Sequence, residues 1–218
     1  MRPTLAVVCL LLVGFVSAST PGSASEREPL VPRLSGKDLP TADEMATIYP
    51  ELAGGTRYVS RTDRFDINGG RNCVDIRLIG QPRQGVWGSY YWAAGEDPYF
   101  QGGESASPFL HKFGSTRAAK QVMHRLRAYV RRCQGRHQAE GTRGILDELV
   151  PPALGEETVG YQISWRYPNS VTGSSKRREV HVVVREGRRI VDVFLQAESF
   201  MPSLDNGVRV AQLTLSLP

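Results

Sequence analysis

Four histidines, three cysteines and one dense aromatic run hold most of the side chains in this 218-residue sequence that could do chemistry. A structural zinc site needs four ligands at set spacings. His111, His124, His137 and His181 neither pair at i, i+4 nor join the cysteines, so no metal ligand is assigned. A serine hydrolase needs its nucleophile on a strained Gly-x-Ser-x-Gly turn; the nearest approach, Trp87-Gly88-Ser89, lacks the second glycine and reads as strand. Gly69-Gly70 and Gly102-Gly103 lack the lysine and the strand-to-helix setting of a phosphate-cradling loop, so they read as turns and no cofactor is implied. Carboxylate pairs for glycoside hydrolysis meet only in the fold. Asp147-Glu148 and Glu156-Glu157 therefore stand as solvated faces with a catalytic alternative.

Trp87, Tyr90, Tyr91 and Trp92 put four rings into six residues, more than the packing of one strand face requires. On strand alternation Trp87 shares a face with Tyr91 and Tyr90 with Trp92. One pair is then a candidate to line a groove or partner surface, the alternative being that the fold covers both faces. Trp87, Tyr91 and, from a later strand, Trp165 are the candidate ligand-binding residues; no catalytic residue is assigned. The stripe Lys120, His124, Arg127 and Arg131 reads as a solvated helix face, or, with Lys176, Arg177 and Arg178, as an anion site.

The compartment decides what the cysteines do. Arg2 supplies a positive start, residues 5–16 (LAVVCLLLVGFV) an apolar run, and Ser17, Ala18 and Ser19 small residues after it, which together predict a signal peptide over 1–18. The run is shorter than a membrane span, so cleavage after Ala18 is expected, with a cut after Ser25 as the alternative, and no stable membrane anchor. Cys9 leaves with that peptide and is badly placed for lipidation. Cys73 and Cys133 remain in an oxidising compartment and are expected to pair. Closing a loop of about sixty residues contributes roughly 4 kcal/mol as an upper figure.

Composition is that of an ordinary globular domain, 40% hydrophobic and 22% charged, and the net charge of +5 favours anionic surfaces without selecting one. No nucleic-acid-binding module is present, and an exported protein would seldom meet nucleic acid, so that partner is excluded. Residues 19–40, mixing Pro, Gly, Ser and scattered charge, read as a flexible linker, and a single domain follows over 41–218. Thr41 caps a first helix over 41–52. Strands are expected within 58–94, with Val74 to Ile79 alternating one face inward and 86–93 beside it in the same sheet. Residues 102–108 read as a loop and 109–113 as a short strand. Ser115 caps the clearest helix, where Ala119, Val122, Leu126, Tyr129, Val130 and Cys133 form one stripe. A short helix at 145–150 precedes a meander at 157–167, 178–185 and 190–197, and 203–217 closes the chain as a helix, with a strand as the alternative. The fold class is α+β: a central antiparallel sheet of about five to six strands, two to three helices and one disulfide.

Several segments occur in a familiar order. A cysteine at an early strand is followed by Phe113-Gly114-Ser115-Thr116-Arg117-Ala118-Ala119 opening a helix that ends in a cysteine. Ala153-Leu154-Gly155-Glu156-Glu157 then precedes a meander containing Val182-Val183-Val184-Arg185-Glu186-Gly187. Over roughly residues 41–217 this resembles the PknH-like extracellular sensor domain family of actinobacteria. The resemblance implies a sheet flanked by helices with a cleft, and a ligand-binding sensor found on receptor kinases, on lipoproteins and as free secreted proteins. The chain departs from the kinase members in lacking a second disulfide, a transmembrane helix and a kinase domain, and no ligand residue carries over by position. The expectation is a secreted, non-enzymatic sensor-like domain binding a small ligand or cell-envelope component in a cleft beside the sheet. A hydrolase with dispersed carboxylates and a structural envelope protein without ligand are the alternatives.

Overall fold

The computed structural model describes residues 33–68, 73–74, 76–99, 101–139, 142–167 and 176–217. The expected signal peptide and its cut after Ala18, the linker as far as 32, the Gly69-Gly70 turn and the turn-rich segment 168–175 lie outside the described residues. In chain order come α1 (Ala42–Met45), β1 (Thr56–Arg61), β2 (Phe65–Asn68), β3 (Ile76–Gly80), β4 (Gln84–Tyr91), β5 (Ser105–Lys112), α2 (Thr116–Arg132), β6 (Gly135–Ala139), β7 (Thr142–Leu149), β8 (Glu157–Arg166), β9 (Lys176–Glu186), β10 (Arg189–Ala197) and α3 (Leu204–Ser216). Eight strands form one antiparallel sheet in the order β1-β4-β5-β10-β9-β8-β7-β6, while β2 and β3 pair as a separate hairpin.

The period of two along a strand builds two cores from one sheet. Val180, Val182, Val184, Val191, Val193 and Leu195 are buried on the face that meets α3, α1 and the segment around Leu34 and Leu39. Their neighbours in sequence point the other way, where Tyr161, Ile163, Trp165, Val183 and Ile190 join the buried stripe of α2 and the hairpin residues Phe65, Ile67 and Ile79. Each long helix starts at a serine: Ser115 accepts a hydrogen bond from the Ala118 N–H, and Ser203 from the Asn206 N–H. In α3, Gly207 sets the approach to the sheet, since a Cβ there would lie 2.9 Å from Val182 Cγ2. Cys133 caps α2 and is disulfide-bonded to Cys73, with Cα atoms 5.6 Å apart. That bond fastens the hairpin to the helix.

Five expectations change. Residues 105–108, expected as loop, are the first half of β5, which runs Ser105–Lys112. The sheet has eight strands, not five to six, because 135–139 and 142–149 are strands where a polar stretch and a short helix were expected. At 145–150 the backbone pairs with β8, Leu146 turns inward and Ile145 outward, and Gly144 fits under the Trp165 ring, where a Cβ would meet Cζ3 at 2.6 Å. The apolar spacing there suits either period, and a neighbouring strand with unpaired backbone groups decides it. The first helix is a single turn, Ala42–Met45, held by a capping box between Thr41 and Glu44. Of the expected strand Val74 to Ile79, only Ile76 onward is described as strand. It lies in the hairpin, apart from β4, and its alternation is outward: Ile76 is 71% and Leu78 38% exposed while Ile79 is buried. Within the segment expected as linker, residues 33–40 pack onto the domain: Leu34 and Leu39 are buried and Ser35 caps a short turn.

Candidate functional site

Between the sheet and the β2–β3 hairpin lies a cavity of about 400 Å³. The sequence of β9 alternates valines with Arg177, Glu179 and His181, and that of β10 alternates Val191, Val193 and Leu195 with Asp192 and Phe194. Once the valines face α3, the polar set must face the cavity. The register then places Tyr161, His181 and Phe194 side by side across β8, β9 and β10.

His181 is the centre of this floor. Its ring stacks on Tyr161 with centroids 4.4 Å apart and lies 5.1 Å from the Phe194 ring. Nδ1 is 3.3 Å from Asp192 Oδ1, and Nε2 is 3.8 Å from Glu179 Oε2. Glu179 is 1% exposed, and its other oxygen is 2.5 Å from Arg177 Nε, whose guanidinium sits over the Tyr167 ring. Burial alone would favour neutral imidazole, but the hydrogen bonding and charge of Asp192 and Glu179 carry His181 up to about 9. Burial likewise opposes ionisation of Glu179, yet His181 and Arg177 hold its carboxyl below the ordinary range. The Tyr161 phenol is pushed well up by burial and then by Asp192.

Aromatic rings lead from the sheet edge to this floor. Tyr58 meets Trp87 edge-on, Trp87 stacks on Phe109 at 5.6 Å, and Phe109 stacks on His111 at 6.1 Å. The hairpin's Phe65 packs edge-on against His111 at 4.8 Å. His111 is buried, which pushes its pKa down to about 4 against the pull of Asp192. The cavity thus offers apolar walls and a charged, hydrogen-bonding floor, the makeup of a site for a ligand with an apolar body and a polar group.

The sequence-derived candidates do not converge. Trp87 stands in the aromatic band, Tyr91 lies four residues further along β4 at the sheet edge, and Trp165 is buried at 4% exposure over Gly144. Tyr90 belongs to the opposite core, its hydroxyl donating to the Pro40 carbonyl. On the α2 stripe Lys120, His124 and Arg131 are exposed, but Arg127 pairs with Glu157. Glu157 is also 2.6 Å from Arg185, itself 2% exposed and 2.6 Å from Glu156. Both glutamates are thus tied to arginines; Glu156 is exposed, as the solvated reading expected, whereas Glu157 is partly buried. Lys176 and Arg178 face the α3 side of the sheet, Arg177 the cavity. Sequence reasoning missed Phe109, Tyr161, Glu179, Asp192 and Phe194. The available signal was a charge inside a β-branched run, Asp192 between Val191 and Val193 and Glu179 before Val180.

Among the described residues, no group of three or more His, Cys, Asp and Glu side chains is placed to hold a metal ion, and no helix is long and apolar enough to cross a membrane. No protein-family model and no curated protein matches the chain. Solved structures do match. The crystal structure of the extracellular domain of PknH from Mycobacterium tuberculosis superposes with a TM-score of 0.50 at 9% identity, covering 84% of this chain and 96% of that one. An uncharacterized protein from Mycobacterium smegmatis, the Rv0999 ortholog, matches with a TM-score of 0.42 at 11% identity, over 79% of this chain and 95% of that one. The chain has the fold of a PknH-like extracellular domain, as the resemblance implied.

Proposed function

We propose that this chain is an exported, non-catalytic, sensor-like domain that binds a small ligand or cell-envelope component in the cavity between the sheet and the β2–β3 hairpin. The observation that carries the reading is the state of His181: both ring nitrogens face carboxylates, so neither is free to take a proton from a bound substrate. Of the hydroxyl groups lining the cavity, that of Thr62 donates to the Arg64 carbonyl at 3.1 Å, and burial keeps the Tyr161 phenol protonated. The fold shared with the PknH extracellular domain supports placement outside the cytoplasm, as does the signal-like N-terminus. The hydrolase alternative would use Glu179 and Asp192, but both spend their charge on His181.

The test is a thermal-shift screen of the mature protein against cell-envelope fragments, because a ligand that prefers the native state raises its Tm. A fragment should raise the Tm of the wild type by several degrees, and Trp87→Ala with Phe109→Ala should remove that shift. Turnover of a fragment to product would return the protein to the hydrolases, and a flat screen would leave the structural reading. Export is checked by the N-terminus of the secreted protein, expected at Ser19.

A further inference from the structure

The other face of the sheet carries a second hollow, of about 610 Å³, at the end built from β6, β7, β8 and β9. The register sets Arg143 opposite Arg166 and Arg166 opposite Lys176, so three cations stand directly abreast on adjacent strands. Two residues along each strand, on the same face, Arg136, Ile145, Ser164 and Arg178 form the next row. Strands lie about 4.8 Å apart, and like charges directly opposite one another destabilise a sheet. None of the five cations has an ion pair or hydrogen-bond partner among the described residues. The carboxylate beyond them on β7, Asp147, is engaged by the Gln162 side-chain amide at 3.3 Å. Segment 168–175 (PNSVTGSS), which joins β8 to β9, contains no acidic residue, and Glu140, between β6 and β7, lies outside the described residues.

We propose that this hollow is a binding site for a soluble ligand bearing two or more phosphate groups. Four of the five cations are arginines, whose planar forks match phosphate oxygens with paired hydrogen bonds and stay charged at any working pH. Two rows of cations two residues apart suit phosphates several ångströms from one another better than a single anion. Ile145, 38% exposed between the rows, and Ser164 offer an apolar contact and a hydroxyl to whatever links the phosphates. A concave site favours a soluble ligand over a flat membrane. The site is on the reverse of the sheet from the His181 cavity, so it stands or falls independently of the proposed sensor function.

The experiment titrates the mature chain with inorganic tripolyphosphate by calorimetry at low and physiological salt. Binding should weaken as salt rises. Arg166→Ser with Lys176→Ser should weaken it at least tenfold, whereas Lys120→Ser with Arg131→Ser, removing two exposed cations of α2, should not. Without ligand, the Arg166→Ser, Lys176→Ser variant should melt about 1–3 °C above the wild type, because neutralising two abreast charges relieves repulsion. That rise also shows that the variant folds. Equal loss of binding in the α2 control would reduce the effect to bulk charge and overturn the proposal. So would absence of tripolyphosphate binding at millimolar concentration, or binding to anionic phosphatidylglycerol vesicles alone.

Discussion

His181 shows how a single side chain sets a site's character. The groups facing it are Asp192 from β10, Glu179 and, behind it, Arg177 from β9, and the Tyr161 ring from β8. Two carboxylates outweigh burial, and the folded state holds the proton up to about 9 against 6.5 for the ordinary imidazole. A pKa raised on folding stabilises fully below the unfolded value, and that contribution, on the order of 3 kcal/mol, drains away as pH climbs from 6.5 through 9. His111 works in the opposite sense. Buried neutral and pushed down to about 4, it costs stability as pH falls from 6.5 toward 4. Glu157 and Glu179, both held below the ordinary carboxylate range, add to that acid limb. Thermal melts from pH 4 to 10 should therefore peak near pH 6–7, and His181→Gln should flatten the alkaline limb and lower the peak. Equal wild-type Tm at pH 6.5 and 9 would remove His181 from this role.

At the scale of elements, α2 is held to the sheet by charge as well as by its apolar stripe. Glu157 at the start of β8 lies between Arg127 of α2 and Arg185 of β9, and Arg185 NH1 also donates to the Gly187 carbonyl at 3.0 Å. Arg185 is almost fully buried, so Arg185→Ala leaves a partly buried carboxylate with only its α2 partner and opens a void. A loss of about 2–3 kcal/mol is expected, seen as a lower denaturant midpoint. A midpoint unchanged within error would mean that solvent replaces the guanidinium without cost. The elements themselves were legible to different degrees. α2, α3 and the three-strand meander were readable because a serine cap and a long amphipathic stripe, or uninterrupted Val-rich alternation with a tight turn, each point one way. β7 was not, because Ile145, Leu146 and Leu149 fit a helix turn as well as a strand, and only β8 beside it decides. The outward Ile76 and Leu78 of β3 break the rule that an apolar face turns inward, and Ile76 lines the mouth of the cavity.

On the scale of the whole molecule, the site depends on long-range register, which no short stretch of sequence encodes. Phe109 reaches Asp192 only because β5 pairs with β10, and Tyr161 reaches Phe194 only through His181 on β9. Sequence could therefore identify an aromatic cluster at Trp87, which stacks on Phe109, but not the acids and rings that line the cavity. Cys73 and Cys133 were legible for a different reason: with Cys9 assigned to the predicted signal peptide, the two remaining cysteines leave one pairing, whatever the fold. That bond carries the last prediction. The β2–β3 hairpin walls the cavity through Phe65 and Ile67, yet it is a two-stranded piece outside the main sheet, marginal by itself. Its anchors are the packing of Phe65, Ile67 and Ile79 against the second core and the covalent tie from Cys73 to the end of α2. Replacing both cysteines by alanine should cost about 2–4 kcal/mol. The loss should be uneven: amide exchange should speed up first in 65–68 and 76–80, while β9 and β10, buried on both faces at the sheet's centre, keep their protection. Uniform loss of protection across the sheet would show that the disulfide supports the domain as a whole and that the hairpin has no separate freedom over the cavity.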